Sequence, residues 1–101
     1  MGSHTILLVQ PKDSSTRTYY DFTNVGLMCE AIMAMYEKRL KQLNPRSGHI
    51  NYHIDDLRKF IDNFSDISAL VFNAQTVAYL PHDREWIKNN VYGHLKRLAQ
   101  K

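Results

Sequence analysis

The side chains of this chain that could most readily bind a metal or act as acid and base are its five histidines and its neighbouring carboxylates. His49 and His53 are four positions apart, a spacing that places two metal ligands on one side of a helix. The stretch around them, however, has the composition of a loop or extended chain, and the single cysteine, Cys29, lies elsewhere. The sequence therefore predicts no metal site and no cofactor.

The carboxylates give no better support for catalysis. Asp55 and Asp56 are adjacent, and Asp62 and Asp66 follow in the same segment, but nothing in the sequence supplies a pocket around them. Acidic residues favour the positive end of a helix, which is a sufficient reason for their presence. The chain also has no glycine-rich phosphate loop, no GxSxG motif and no nucleophile beside an evident base. We assign no catalytic residue and expect a non-enzymatic protein.

The charge composition permits nucleic-acid binding without demanding it. The chain has thirteen Lys and Arg residues and ten Asp and Glu residues, which gives a net charge of +3. Positive and negative residues are mixed along the sequence rather than forming a block of one sign. The basic residues considered are Lys38, Arg39, Lys41, Arg46, Lys88, Lys96, Arg97 and Lys101. Solvated helix faces explain them more simply than phosphate contacts. Direct nucleic-acid binding is therefore not expected, but an RNA-binding module that uses these basic helix faces stays open as the alternative function.

The cysteine count and the hydropathy indicate the cellular compartment. One cysteine cannot form an internal disulfide, and Cys29 falls within an apolar helical stripe, so we expect a buried, reduced thiol. The longest apolar run, residues 31–36, is far shorter than the roughly 20 residues that cross a membrane. We therefore expect a protein of the nucleus, the cytoplasm or both, without a membrane-spanning segment.

Alternating and β-branched residues predict four strands. Residues 5–10 (TILLVQ) and 17–22 (RTYYDF) are separated by a polar turn and form a first hairpin. Residues 68–74 and 76–80 predict a second hairpin, which ends at Pro81. The two hairpins supply the strands of an antiparallel sheet.

Helical periodicity predicts three helices. Asn24 is a good N-cap for a long helix whose apolar residues recur every 3.6 positions as far as Leu43. A shorter helix fits residues 55–64, and Asp83 caps a last helix. The order β-β-α-α-β-β-α predicts a single α+β domain over residues 1–101, in which three helices cover one face of a four-stranded antiparallel sheet.

The first strand indicates that the other face of this sheet is also covered. Ile6 and Leu8 point to one side, and Leu7 and Val9 point to the other, so both faces are apolar. Burying on the order of 1,200 Å² at about 25 cal/mol per Å² yields roughly 30 kcal/mol, more than the estimated 4 to 15 kcal/mol cost of association. We therefore predict a homodimer that pairs sheet against sheet. Its predicted interface comprises His4, Ile6, Leu8, Tyr19, Val71 and Tyr79.

Five segments of the chain resemble the enhancer of rudimentary family. They are SHTILLVQP, RTYYD, MYEKRLKQLNP, FID and LVFNAQTVAYLPHDREWIKNNVY, and together they extend over nearly the whole sequence. The resemblance implies a small eukaryotic homodimer that joins through its sheets. It also implies a non-enzymatic scaffold that brings partner proteins together in RNA metabolism, whether in mRNA processing, splicing, RNA elimination or small-RNA maturation of the piRNA type.

The chain departs from the family pattern at two places. Leu27 and Ala34 stand where typical members carry charged residues, and with Ala31 they lie opposite the core stripe of the first helix. We predict that these three residues bind a short helical or extended segment of a partner, although scattered exposed apolar residues are also normal on a protein surface. His53 replaces the usual acidic N-cap of the second helix, which should therefore begin less firmly.

Thr18 is a candidate phosphosite. Asp21 follows it by three positions, which fits an acidic-directed kinase pattern, and the resemblance implies modification in this neighbourhood. A phosphate here would add about two negative charges close to the sheet.

Overall fold

A computed structural model describes residues 3–43 and 53–99. The order of the elements is that predicted from the sequence, and the class is α+β. The elements are β1 (Thr5–Gln10), β2 (Thr18–Phe22), α1 (Val25–Leu43), α2 (Ile54–Asp62), β3 (Asp66–Asn73), β4 (Ala78–His82) and α3 (Arg84–Ala99), with one 3-10 turn at Ser14–Thr16.

The four strands form one antiparallel sheet in the order β2-β1-β3-β4. β1 is central, since it pairs with β2 on one side and with β3 on the other. At the middle of the sheet, Leu7 lies between Tyr20 of β2 and Ala69 of β3. Directly paired residues point to the same face, so this register assigns every strand residue to one face or the other.

The helices cover one face of the sheet, and the core lies between them. β1 contributes Thr5, Leu7 and Val9, and β3 contributes Ile67 and Ala69, all of them buried. The helical side of the core is formed by Met28, Cys29, Ile32, Met33, Tyr36, Leu57, Ile61, Ile87 and Val91. Ala69 is small enough to let a helix approach the middle of the sheet closely.

Two helices begin at the predicted caps. The side-chain oxygen of Asn24 accepts a hydrogen bond of 2.8 Å from the backbone N–H of Leu27, which confirms Asn24 as the cap of α1. The carboxylate of Asp83 accepts one of 2.9 Å from the N–H of Trp86 in the same way. Each cap satisfies a backbone donor that would otherwise lack a partner.

α2 is held at its end rather than at its start. His53 occupies the N-cap position and its side chain makes no capping hydrogen bond, as expected from the sequence. At the other end, the guanidinium of Arg84 donates to the carbonyl oxygens of Asp62 at 3.2 Å and Phe64 at 2.7 Å. A cation at the C-terminal end of a helix also suits the helix dipole. Arg84 thus ties the end of α2 to the start of α3.

The predicted position of the fourth strand, residues 76–80, is wrong by two residues. The side-chain oxygen of Asn73 accepts hydrogen bonds from the N–H groups of Gln75 and Thr76, which turns the chain there. Val77 has a φ of 52°, in the left-handed region, and so ends the turn rather than beginning a strand. β4 therefore begins later and includes Pro81, which an edge strand tolerates.

Other boundaries differ by one or two residues. β3 starts at Asp66 instead of position 68, and α2 ends at Asp62 instead of position 64. Within residues 3–43 and 53–99, no helix has the length and apolar character needed to cross a bilayer.

Candidate interaction surfaces

The face of the sheet turned away from the helices is an apolar surface that residues 3–43 and 53–99 leave uncovered. The register places Asp21 and Leu70 on either side of Ile6, and Tyr19 and Ser68 on either side of Leu8. We refer to this surface as the open face. It comprises His4, Ile6, Leu8, Gln10, Tyr19, Asp21, Asp66, Ser68, Leu70, Phe72, Tyr79 and Pro81.

A polar cluster lies at one end of the open face. The Nδ1 atom of His4 is 2.6 Å from the hydroxyl of Tyr79, and its Nε2 atom is 3.4 Å from a carboxylate oxygen of Asp21. This arrangement suits the tautomer in which Tyr79 donates to Nδ1 and the Nε2–H points to Asp21. The ring of Phe72 meets Tyr79 edge to face at 5.4 Å. His4 therefore connects the two edge strands, β2 and β4, across the face.

The opposite end of the open face contains a depression of about 320 Å³. Leu8 and Tyr19 form its apolar part, and Arg17 donates to the side-chain oxygen of Gln10 at 2.7 Å along its rim. The amide of Gln10 in turn donates to the hydroxyl of Ser65 at 3.1 Å. The open face thus combines an apolar centre with hydrogen-bonding groups at both ends, as protein interfaces commonly do.

Five of the six residues predicted for the dimer interface lie on the open face, and the placement of Val71 there is wrong. Val71 pairs with Thr5, which is buried under the helices. Because β3 is apolar on both of its faces, its sequence alone does not show which set of side chains points outward. The sequence prediction also missed Leu70 and Phe72, which lie on the open face. The small Ala69, suited to close helix packing, was the signal that could have oriented the strand.

The three residues predicted to bind a partner lie along one side of α1. Leu27 is 42% exposed, Ala34 is exposed, and Ala31 is half-buried between them. Their spacing of four and three residues places them on one helical face, which we name the α1 strip. Glu30 borders the strip, and its carboxylate lies 3.8 Å from Nε2 of His94 on α3. The strip consists of three small or medium apolar side chains with a charged residue at its border.

The cysteine is buried in the core. Cys29 is 1% exposed, as predicted, and burial raises the pKa of its thiol to about 11, although the nearby Arg97 acts in the opposite direction. A thiol with so high a pKa is almost entirely protonated at neutral pH and is a poor nucleophile. Cys29 is therefore a core side chain.

Thr18 is exposed on the edge strand β2 and pairs with Val9. Its side chain accordingly points to the helix side of the sheet, away from the open face. A kinase could reach this position, but a phosphate there would not point into a contact made by the open face.

The basic residues are not equally available to a ligand. Lys88 contacts the carboxylates of Asp62 at 2.8 Å and Glu85 at 3.0 Å, and the hydrogen bond to Asp62 is the main cause of the raised pKa of Lys88. Lys96 and Arg97 are exposed near the end of α3. Lys38, Arg39 and Lys41 are exposed on α1, whereas Arg46 and Lys101 lie outside the described residues.

No group of three His, Cys, Asp or Glu side chains suited to a metal ion occurs within residues 3–43 and 53–99. The pair considered from the sequence lies partly outside this range, because His49 is not among the described residues.

Comparison with known proteins identifies the family. The family model described as enhancer of rudimentary matches residues 1–101. The chain is 46% identical over 97 residues to the enhancer of rudimentary homolog of Arabidopsis thaliana, which covers 95% of this chain and 89% of that protein. It is 46% identical over 99 residues to the homolog of Dictyostelium discoideum, covering 97% of this chain and 99% of that protein. It is 44% identical over 98 residues to protein enhancer of rudimentary of Drosophila virilis, covering 96% and 94% respectively. The chain belongs to the enhancer of rudimentary family.

Proposed function

We propose that this protein is a non-enzymatic homodimeric adaptor that recruits partner proteins in RNA metabolism. The observation that carries the proposal is the uncovered apolar face of the sheet. The assignment to RNA-processing complexes in the nucleus or cytoplasm follows the resemblance to the family and is tested separately below.

The open face supports the dimer because it has the composition of an interface and is carried by a continuous hydrogen-bonded sheet. Leu8 is 37% exposed and Tyr79 is 42% exposed, and Ile6 and Leu70 are partly exposed between them. These side chains project from an antiparallel sheet in which every strand is hydrogen-bonded to its neighbour. Such a surface changes little on binding, so that most of the apolar area it buries contributes to association.

The α1 strip supports the adaptor role. Ala31 and Ala34 let a second backbone approach closely, and Leu27 offers a larger side chain beside them. A short amphipathic helix or an extended segment could pack along such a surface. A two-fold dimer presents two α1 strips, so a partner with two binding segments would be held far more firmly than a partner with one.

The dimer is tested by sedimentation equilibrium at low micromolar concentration. We expect the wild-type protein to sediment at twice its chain mass of 11.8 kDa. The double variant Ile6→Arg with Leu8→Arg should be monomeric, because it places two charges in the centre of the interface. Leu27→Glu is the matched control, since it introduces a charge at an exposed apolar residue off the open face, and it should remain dimeric. A wild-type monomer at 11.8 kDa would overturn the proposal.

The adaptor role is tested by affinity capture from cells. Partners held by the α1 strip should be retained by the wild type and lost with Leu27→Glu, while Lys41→Glu, a charge change elsewhere on α1, should retain them. Identification of RNA-processing proteins among the lost partners would support the proposed context. If Leu27→Glu loses no partner, the strip is not the binding site.

The alternative, direct RNA binding, draws on the exposed Lys96 and Arg97 of α3 and the basic end of α1. Phosphate contacts would make the affinity fall steeply with added salt. Absence of RNA binding at low salt would remove this alternative.

A further inference from the structure

The polar cluster of the open face contains a side chain whose charge can change near neutral pH. That side chain is His4, since histidine is the residue whose unperturbed charge change falls between about pH 5 and pH 8. The other described histidines lie off the open face, before α2, on the helix side of β4 and on α3: they are His53, His82 and His94. A pH effect on the open face in this range is therefore expected to act through His4.

Two titratable groups face His4, one from each edge strand. β4 contributes the hydroxyl of Tyr79, 2.6 Å from Nδ1, and β2 contributes the carboxylate of Asp21, 3.4 Å from Nε2. The strand between β1 and β4 places Leu70 and Phe72 on this face, and neither carries a charge. The helices pack on the other side of the sheet. The charge state of His4 thus depends mainly on Asp21 and Tyr79.

Asp21 has no cation other than His4 to pair with. Among residues 3–43 and 53–99, the one ion pair of Asp21 is the pair with His4. Arg17 lies at the opposite end of the open face, four residues away, which is about 13 Å at roughly 3.3 Å per extended residue. Exposed charges are largely screened beyond about 8 Å at physiological ionic strength. While His4 is neutral, this end of the open face therefore carries one uncompensated negative charge.

Protonation of His4 preserves the cluster and changes its charge. A tyrosine hydroxyl can donate or accept, so that of Tyr79 can donate to Nδ1 of the neutral ring and accept from Nδ1–H of the charged ring. The Nε2–H group points to Asp21 in both states, but in the charged ring its hydrogen bond becomes charge-assisted. The negative charge at this end of the face is then compensated within the same chain.

Covering the open face would remove water from this cluster. The side chains of His4 and Asp21 are 42% and 62% exposed, so water solvates both in a single chain. Desolvating an uncompensated carboxylate costs more than desolvating a carboxylate that is paired and hydrogen-bonded. Association should accordingly favour the protonated form of His4. By reciprocity, proton binding then favours association.

We propose that His4 is a proton-binding site linked to dimerisation, at which the protonated ring pairs with Asp21 of the same chain and the sheet-to-sheet dimer becomes tighter as the pH falls from about 7.5 to about 5.5. The inference deepens the homodimer proposal and rests on it. It assigns to one side chain the control of how much of the protein is dimeric, and hence bivalent, at a given pH.

The test measures the dissociation constant of the dimer by fluorescence-detected sedimentation at these two pH values and constant ionic strength. The label is placed on Lys41→Cys, an exposed position of α1 away from the open face, while Cys29 is buried and a poor nucleophile. We expect a dimer about three- to tenfold tighter at the lower pH, the effect of one modest charge pair in each chain. An unchanged or weaker dimer at the lower pH would overturn the inference.

A very tight dimer requires a kinetic form of the same test. If the protein is still fully dimeric at nanomolar concentration, two differently labelled pools are mixed and the exchange of subunits between them is followed. Exchange should be slower at the lower pH. Equal or faster exchange there would count against the linkage.

A matched pair of histidine variants identifies the proton site. His4→Gln keeps a hydrogen-bonding side chain that cannot be protonated, so it should abolish the difference between the two pH values. His53→Gln makes the same change at an exposed residue off the open face and should retain the difference. A pH response that survives in His4→Gln would assign the effect to another group.

A second pair tests the carboxylate. Asp21→Asn removes the uncompensated charge, so its dimer should be at least as tight as the wild type near neutral pH and should no longer tighten on acidification. Asp55→Asn removes the same charge from an exposed residue of α2 and should behave as the wild type does. If Asp21→Asn instead weakens the dimer near neutral pH, the carboxylate pairs with a cation of the second copy and the inference is wrong.

The outcomes for the wild type separate this inference from the dimer itself. A dimer whose affinity does not respond to pH leaves the proposed function in place and removes the linkage. A monomer at both pH values removes the dimer and the linkage together. A monomer near neutral pH that dimerises on acidification contradicts the dimer under neutral conditions and supports the linkage.

Discussion

The two faces of the sheet differ in what covers them far more than in how apolar they are. Leu7 and Leu8 are adjacent in β1 and have the same side chain, yet Leu7 is 0% exposed and Leu8 is 37% exposed. The helices supply enough apolar surface to cover one face, and the other face keeps its leucine, tyrosine and phenylalanine side chains at the surface. Among the residues that the structure describes, burial is therefore limited by the number of helices, not by the number of apolar residues.

The largest test of this comparison replaces each leucine in turn. Leu7→Ala should lower the free energy of unfolding by about 2 to 5 kcal/mol, because it leaves a cavity between the sheet and the helices. Leu8→Ala should have a smaller effect on the protomer and should act mainly on association. Urea denaturation at several protein concentrations measures both effects. Equal losses that do not vary with concentration would show that the two faces are energetically alike.

A smaller effect is expected at the polar end of the open face. Tyr79→Phe removes the hydroxyl that lies 2.6 Å from Nδ1 of His4, and it should lower stability by about 0.5 to 1.5 kcal/mol. Tyr20→Phe, on the helix side of β2, is the matched control and should be close to neutral. Thermal denaturation of the two variants compares them. If both are neutral, the His4 cluster does not contribute to the open face.

The helix layer on the covered face can be stabilised at the N-terminus of α2. His53 makes no side-chain cap, so His53→Asp should add about 0.5 to 1 kcal/mol to the free energy of unfolding by accepting a hydrogen bond from the first turn of the helix. His53→Ala should have no such effect. A gain with His53→Ala as large as that with His53→Asp would show that relief from histidine, rather than capping, is responsible.

The smallest effect at neutral pH concerns Cys29. Its pKa is raised by burial to about 11 from an ordinary value of 9.0, so the unfolded thiol ionises first as the pH rises. The contribution of the buried thiol is therefore complete below pH 9 and is lost as the pH rises from 9 toward 11. The pH dependence of urea denaturation should be weaker in this window for Cys29→Ala. An unchanged slope would contradict the assignment.

The sequence predicts those elements whose signals are local. Asn24 and Asp83 cap their helices through their own side chains, and the 3.6-residue period of α1 follows from its buried stripe. β4 was misplaced because its start depends on the left-handed φ of Val77 and on hydrogen bonds to Asn73. Neither of these features leaves a pattern in the hydropathy.

The candidate surfaces also divide into features that have a local signal in the sequence and features that have none. The outward set of β1 was found because it includes polar residues at its ends, whereas Val71 was assigned to the wrong face because β3 offers no such contrast.

The central place of β1 in the sheet affects how the protein is made. Thr5–Gln10 is synthesised before β3, and β2 can pair with only one of its edges. The other edge stays unpaired until Asp66–Asn73 has been synthesised. During that interval a strand that is apolar on both sides is exposed on the nascent chain, in the form most prone to aggregate. The strand order thus sets how long one edge of β1 stays without a partner from its own chain.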